Sequence, residues 1–240
     1  MIFALIVSLP NVAKPFTNEL SNTAKKIYDG LKKHKDDMKT GTYVIDFGTE
    51  FNSILNGADG EEILNQEYQS AWNAFSYDNV DLYYLDINKV SMVMEARTEG
   101  ATTTYYVKIG PGDYSSYLSS TFANKKEIED ADAYIKDIRN QVMSILGPYN
   151  NAMKIKVVNE WMIDNLSYEN IEGNNNKYNL YGAIVETKVV CEGYARMFKY
   201  IMDGLNIPCI LVSGTATNSE GETELHRIKW TMVCCRCYME

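Results

Sequence analysis

A helix followed at once by a buried strand is the pattern that most restricts the fold of this chain. Residues 191–205 carry large apolar side chains at helical spacing. Asn206 and Pro208 then interrupt the helix, and the run CILVSG that follows is typical of a buried strand. We therefore expect helix and sheet together in this part of the chain. The residues on the apolar face of the helix are Tyr194, Phe198, Ile201 and Leu205.

Further helices and strands are predicted on the amino-terminal side of this pattern. The segment SNTAKKIYDGLKKHKDD has helical periodicity, with Ser21 as its N-cap. The segment EEILNQEYQSAWNAF predicts a second helix that buries Leu64 and Phe75. The segments GTYVIDFG, SMVMEA and TTTYYVKI predict strands, the last two joined by a turn at Glu99 and Gly100. This mixture predicts an α+β fold.

The pattern changes near Asn124, where apolar residues begin to recur every three or four positions. Asn124 and Glu127 resemble a capping box, which predicts the start of a helix. Gly147 ends this helix, and a second one is predicted from about residue 151 to residue 166. The predicted core positions of the first helix are Ile128, Ala131, Ile135, Ile138, Val142 and Ile145.

Length and composition allow two domains. The chain has 240 residues, of which 45% are hydrophobic and 23% charged, as in globular proteins. We place a boundary near residue 122. It separates a mixed α+β region of unknown role at residues 1–121 from a second domain at residues 122–240.

Charge and hydropathy exclude some classes of partner. The net charge is −9, and no basic run is longer than a pair, which disfavours binding to nucleic acid. The apolar start MIFALIVSL is too short to cross a bilayer, so no transmembrane segment is predicted. It fits either a buried strand or a clipped secretory signal. Export or attachment to the cell envelope therefore stays open beside a cytoplasmic location.

Cys191 stands at the start of the helix described above. Unpaired N–H groups and the helix dipole favour an anion at such a position, so a cysteine there can act as a thiolate nucleophile. Gly193 allows the backbone to pack closely at the same helix start. A buried, unreactive cysteine fits the spacing equally well.

Three segments around Cys191 resemble the bacterial transglutaminase-like superfamily. They are Tyr181-Gly182-Ala183, then VVCEGYA at residues 189–195, then GLNIPCILVSGTA at residues 204–216. The resemblance covers roughly residues 125–222. It implies a papain-like core, in which helices pack on a short antiparallel sheet, and it implies neither a cofactor nor a metal.

The same resemblance implies the chemistry. In that family a cysteine at a helix start attacks an amide carbonyl of a protein or peptide, a histidine acts as base, and an aspartate orients the histidine. A backbone oxyanion hole near the cysteine stabilises the tetrahedral intermediate. The thioester then passes to an amine or to water. Cys191 matches the nucleophile of the family.

The chain departs from the family pattern after Gly214. The family continues with His-Ala-Trp-Asn and then a strand that contains Asp-x-Thr-Trp, whereas this chain continues NSEGETELHRIKW. His226 is the nearby histidine and a stand-in candidate for the base, while His34 lies in a solvated helical segment. The departure predicts a sheet that is incomplete at its carboxyl end. It also predicts impaired catalysis, or a non-catalytic module that keeps the fold and binds a partner, such as a cell-envelope component.

A shift of reading frame accounts for the departure. Moving the frame of residues 224–240 forward by one nucleotide permits Asn-Tyr-Ile-Glu-Leu-Asn-Gly-Gln-Trp-Phe-Ala-Val-Asp-Val-Thr-Trp. Both tryptophans are forced by the genetic code, because Met232 precedes a valine codon and Met239 precedes a glutamate codon. We therefore expect that a deletion near Thr223 removed His-Ala-Trp and shifted the rest out of frame.

The same hypothesis explains three cysteines within four positions, Cys234, Cys235 and Cys237. As a zinc site they have the wrong spacing, and Cys209 and His226 are the nearby residues that could complete it. A redox role for the tail is the other alternative. We expect neither, since out-of-frame codons produce the same run.

Overall fold

The computed structural model describes residues 16–215 and 229–235, and its fold is α+β, as the sequence predicts. The described residues form two compact units. One contains residues 16–79 and 84–130, and the other contains residues 80–83, 131–215 and 229–235. The predicted boundary near residue 122 stays a prediction. The apolar start MIFALIVSL lies outside the described residues.

The first unit combines helices with a three-stranded antiparallel sheet of order β1-β3-β2. Ser21 caps the first helix, and its Oγ accepts the N–H of Ala24 at 3.0 Å. Gly100, at a φ of 61°, lies in the turn between the two long strands. The elements are α1 (Asn22–Lys33), β1 (Ile45–Gly48), α2 (Asn52–Leu55), α3 (Gly60–Asp78), β2 (Ser91–Glu99) and β3 (Thr102–Gly110).

The third helix, α3, supplies much of the core of this unit. The predicted positions Leu64 and Phe75 are both fully buried. Tyr68 and Trp72 lie on the same face, with ring centroids 6.2 Å apart. Burial of such aromatic side chains contributes roughly 1.5–3 kcal/mol each, so this face anchors the unit.

The described part of the second unit combines helices with two small sheets. Strands β4 and β5 pair in parallel, and β6 and β7 pair antiparallel. A short 3₁₀ turn (Asn175–Tyr178) and a π-helical turn (Gly182–Glu186) separate β4 from β5. The elements are α4 (Lys125–Ile145, of which residues 125–130 belong to the first unit), α5 (Asn151–Asn165), β4 (Ser167–Tyr168), β5 (Lys188–Val189), α6 (Cys191–Gly204), β6 (Cys209–Thr215) and β7 (Lys229–Cys235).

The capping box predicted at the start of α4 is present in a modified form. Asn124 Oδ1 accepts the N–H of Glu127 at 3.1 Å. The Glu127 carboxylate reaches back to the N–H of Ala123 at 2.8 Å, one residue earlier than in the standard box. The predicted core position Ile145 is wrong, because it is 55% exposed while Leu146 is 1% exposed. In the last turn, Leu146 rather than Ile145 therefore faces the core.

Strand β7 belongs to the segment for which we expect a shifted frame. It pairs with β6 from Cys209↔Cys235 to Thr215↔Lys229. The frame hypothesis stays a prediction, since β-branched and aromatic residues such as Thr231, Val233 and Trp230 favour a strand in any case. Among the helices of the described part, none is both long and apolar enough to cross a membrane.

Candidate active site

Cys191 is the first residue of α6, as the sequence predicts. Val190 before it is extended, with φ −100° and ψ −178°, so the helix begins abruptly at the cysteine. The N–H of Val190 donates to the carbonyl of Lys177 at 3.1 Å, and its carbonyl accepts the N–H of Tyr194 at 3.2 Å. Both sides of the cysteine are therefore fixed by backbone hydrogen bonds. Its residue is half-buried, which leaves part of it accessible.

Gly193 lets the start of α6 approach the segment before β5. A Cβ at this position would lie 2.5 Å from Val189 Cγ1 and 2.7 Å from the carbonyl oxygen of Lys177. Real Cβ atoms essentially never come so close. The predicted close packing at Gly193 is confirmed. It holds Cys191, the candidate nucleophile, close to Val189 and to the backbone of Lys177.

A part-buried polar cluster lies in the same segment as Lys177. Asn174 Nδ2 and Asn176 Nδ2 donate to the two carboxylate oxygens of Glu186 at 2.7 and 2.6 Å. Asn176 is only 8% exposed. The triple asparagine at residues 174–176 looks like a low-complexity loop in the sequence, but two of its side chains clamp the π-helical turn to the 3₁₀ turn. Charged hydrogen bonds of this kind contribute about 1.5–3 kcal/mol each.

Lys177 is a buried cation in the same segment, with 7% exposure. Its Nζ donates to Asn170 Oδ1 and to the carbonyl of Ile171, both at 2.7 Å. It also lies 5.1 Å from the centroid of the Tyr178 ring. The Lys177 side chain thus binds the loop after β4, while the carbonyl of Lys177 accepts the N–H of Val190.

We expect Lys177→Met to destabilise the protein by about 1.5–3 kcal/mol, because the carbonyl and amide acceptors of Ile171 and Asn170 lose a charged donor. Urea denaturation followed by circular dichroism measures the change. Lys188→Met is the matched control, since Lys188 is exposed and its 3.3 Å pair with Glu169 lies at the surface. Equal stability of the two variants would contradict the structural role of Lys177.

The short parallel pair β4–β5 brings Tyr168 to the helix start. Tyr168 pairs with Val189, and the N–H of Glu169 donates to the Val189 carbonyl at 3.1 Å. The Tyr168 ring stacks on Tyr194 with centroids 6.3 Å apart and planes 22° apart. Tyr194 in turn donates its hydroxyl to the carbonyl of Leu166 at 2.9 Å. These contacts fix the Tyr168 ring beside the first turn of α6.

Burial raises the pKa of Tyr168, and a negative charge on Cys191 raises it further. The net direction is upward, so the phenol keeps its proton at neutral pH.

Glu192 occupies the first turn of α6, where a negative charge is favoured by the helix dipole. Its carboxylate accepts from Arg196 Nη2 at 2.9 Å and Arg196 Nε at 3.1 Å. Both side chains are largely buried, with 22% and 13% exposure. This pair rigidifies the start of the helix.

The histidines do not complete a triad in the described part of the chain. His226, the stand-in base, lies outside the described residues. His34 belongs to the first unit, where it pairs with Asp37 at 2.8 Å and stacks on Tyr43 at a centroid distance of 5.0 Å. These contacts explain His34 as a structural residue.

The other cysteines that the sequence analysis considered as metal ligands lie partly outside the described residues. Of the three tail cysteines, Cys234 and Cys235 lie in β7, and Cys237 lies outside the described residues. Cys209 is buried at the start of β6, where it pairs with Cys235 in register. Within residues 16–215 and 229–235, no three His, Cys, Asp or Glu residues are grouped so that they could hold a metal ion.

Sequence reasoning found Cys191 and Gly193 but missed Tyr168, Lys177 and Glu186. The spacing around Tyr168 carries no periodic signal, because β4 has only two residues. A lysine beside a triple asparagine is typical of a solvated loop, and only the fold shows that it is buried.

Comparison with solved structures shows a weak similarity of fold. No protein-family model matches the chain, and no curated protein matches it either. A crystal structure of a TGase is similar with a TM-score of 0.37 and 14% sequence identity. The match covers 64% of this chain and 45% of that protein, so the chain spans less than half of its length.

Proposed function

We propose that this chain belongs to the transglutaminase-like superfamily and that Cys191 is its nucleophile, acting on amides of proteins or peptides. The supporting observation is the position of Cys191, the first residue of α6, within the motif Cys-Glu-Gly-Tyr-Ala. The close packing at Gly193 adds to it, since it holds the cysteine against a rigid backbone.

The proposed reaction is acyl transfer. The Cys191 sulfur attacks the amide carbonyl carbon, a C–S bond forms, and the C–N bond breaks as the amine leaves. A base accepts the thiol proton and returns it to the leaving amine. Water or a second amine then takes the acyl group, which amounts to hydrolysis or crosslinking. His226 is the candidate for the base, and we expect its activity to be impaired because it lacks the family's surroundings.

Alkylation of the protein as it stands tests the nucleophile. We expect iodoacetamide to modify Cys191 faster than Cys209, which is 6% exposed. We also expect p-nitrophenyl acetate to acylate Cys191, because its leaving group departs without a proton. Mass spectrometry of peptides locates both modifications. Absence of acylation at Cys191 would overturn the proposed nucleophile.

His226→Ala tests the stand-in base. We expect hydrolysis of peptide amides by the chain as written to be weak, and this substitution to lower it by less than about tenfold, since a well-placed general base contributes 10²–10⁴-fold. Ammonia release from a glutamine-containing peptide measures the change. A complete loss of a substantial activity would show that His226 is a working base and that the frame shift lacks functional consequence.

The frame hypothesis has its own test. A restored chain carries His-Ala-Trp after Thr223, followed by the shifted reading of residues 224–240. We expect it to hydrolyse or transfer peptide amides at least about 10²-fold faster than the chain as written, because a base is gained. Resequencing the genomic DNA across the codons for residues 214–240 is the direct companion measurement. An inactive, folded restored chain would contradict the hypothesis.

A second candidate function is a non-catalytic binding module. The sequence favours it in one respect, because it lacks both His-Ala-Trp-Asn and Asp-x-Thr-Trp. Such a module would bind a protein, a peptide or a cell-wall component without covalent chemistry, and nucleic acid is disfavoured by the net charge of −9. Failure of Cys191 to form any acyl-enzyme would favour this candidate.

A further inference from the structure

Strand β2 (Ser91–Glu99) lies at one edge of the three-stranded sheet of the first unit. It pairs with β3 along its whole length, and no other strand in the described part of the chain pairs with it. Every residue from Glu95 to Glu99 is exposed, and Val93 is 45% exposed. Long edge strands are usually protected by lysine, proline or a bulge. β2 contains neither lysine nor proline, and its register with β3 is continuous, so its free edge can accept another strand.

The backbone of β2 presents hydrogen-bonding groups at this free edge. Tyr105 of β3 lies opposite Ala96 and donates its N–H to Asn52 Oδ1 at 2.7 Å, away from β2. In an antiparallel ladder, both residues of such a pair direct their N–H and C=O groups away from each other. Ala96 therefore directs its own groups to the free edge. Alternate residues of the strand share this orientation, namely Met92, Met94 and Thr98.

The charges of β2 match those of a second copy of the same strand. Antiparallel pairing about a twofold axis at Ala96 places Glu95 of each copy opposite Arg97 of the other. Both side chains are accessible, since Arg97 is 58% and Glu95 49% exposed. Moving the axis by one residue instead places two Glu95 or two Arg97 side chains directly opposite, and such like-charge pairs are destabilising. The charge pattern therefore selects one register.

From this edge and its charges we propose that β2 is an interface between two copies of this chain, paired antiparallel about Ala96. The two three-stranded sheets then form one sheet of six strands. The two Ala96 residues exchange backbone hydrogen bonds across the axis. Glu95 and Arg97 oppose each other at non-hydrogen-bonded positions, where side chains lie closest. The interface does not depend on the chemistry of Cys191, so failure of the proposed nucleophile leaves it standing.

Charge reversal tests the interface in the full chain. Sedimentation velocity over a range of protein concentrations measures the monomer–dimer equilibrium. We expect Glu95→Arg to weaken the dimer at least about tenfold, because symmetry turns two attractive pairs into repulsive ones. The double variant Glu95→Arg/Arg97→Glu restores opposite charges, and its dissociation constant should lie within about threefold of that of the unsubstituted chain. Glu99→Arg is the matched control, since it changes the net charge equally but lies opposite Val93, and it should have an effect of less than about threefold.

A cysteine at the proposed axis tests the register. In Ala96→Cys the two introduced thiols belong to residues whose Cα atoms lie about 5.5 Å apart, within the range of a disulfide. We expect mild oxidation to link the two copies, and mass spectrometry of the linked peptide locates the bond. Thr98→Cys is the matched control on the same edge. Its two thiols lie four residues apart along the strands, about 14 Å, and should not link.

Each outcome supports or refutes the interface. A chain that stays monomeric at every concentration would overturn it, and so would a dimer that Glu95→Arg leaves unchanged. A double variant as weak as Glu95→Arg would show that cross-strand charge pairs do not hold the copies together. Linkage through Thr98→Cys but not through Ala96→Cys would refute the register on which those pairs depend.

Discussion

Cys191→Ala should abolish peptide-amide turnover in the restored chain. The expected loss in kcat is about 10⁶-fold, as when the nucleophile of a triad is removed, and the remaining activity comes from binding and oxyanion contacts. Without the sulfur no thioester can form, so hydrolysis and amine transfer should fall together. Ammonia release and incorporation of a labelled amine measure the two branches.

Cys209→Ala is the control for the loss of a thiol. Cys209 is buried at the start of β6 and pairs in register with Cys235, and it lies outside the motif that carries Cys191. We expect its variant to keep at least about half of the activity, with a small loss of stability from a lost sulfur. If turnover survived in Cys191→Ala but was lost in Cys209→Ala, Cys209 and not Cys191 would be the nucleophile.

The position of Cys191 could be predicted because it rests on local rules. Helical spacing of apolar residues and the break at Asn206 and Pro208 define α6 and its borders. A glycine two residues after the cysteine marks close backbone packing, and the structure confirms it at Gly193. Signals of this type depend on short stretches of chain, so they survive without knowledge of the fold.

Contacts between distant segments could not be predicted in the same way. Tyr168 and Cys191 are 23 positions apart, and a two-residue strand gives no pattern that joins them. Burial of Lys177 depends on oxygen acceptors supplied by the loop that follows β4. Such pairings follow from register and loop path, which are set by the whole unit rather than by local propensity.

The wrong core position predicted at the end of α4, Ile145, has a related cause. A helix of 3.6 residues per turn does not keep one stripe in place over 21 residues, so a pattern extended from Ile128 reaches the wrong face at Ile145. Leu146 is buried instead. The sequence predicts the existence of a helix and its apolar face reliably. It predicts the last buried residue of that face less reliably.

Gly182→Ala should be the most destabilising single substitution near the candidate site. A Cβ at Gly182 would lie 2.0 Å from the carbonyl oxygen of Asn176 and 2.5 Å from its carbonyl carbon. Both are backbone atoms, so the clash cannot be relieved by turning a side chain. We expect a loss of about 3 kcal/mol or more in the free energy of unfolding, measured by urea denaturation.

The same substitution should also reach the cysteine. Moving Asn176 disturbs its bond to Glu186, and Lys177 beside it accepts the N–H of Val190. We therefore expect slower acylation of Cys191 even at temperatures where Gly182→Ala is folded. Gly204→Ala is the matched control, because its Cβ would meet only the flexible side chains of Arg139 and Met143 at 3.0 Å. It should change stability by less than about 1 kcal/mol, since alanine is favoured over glycine in a helix. If the two variants were equally stable, the packing of the π-helical turn against Asn176 would not be what fixes the start of α6.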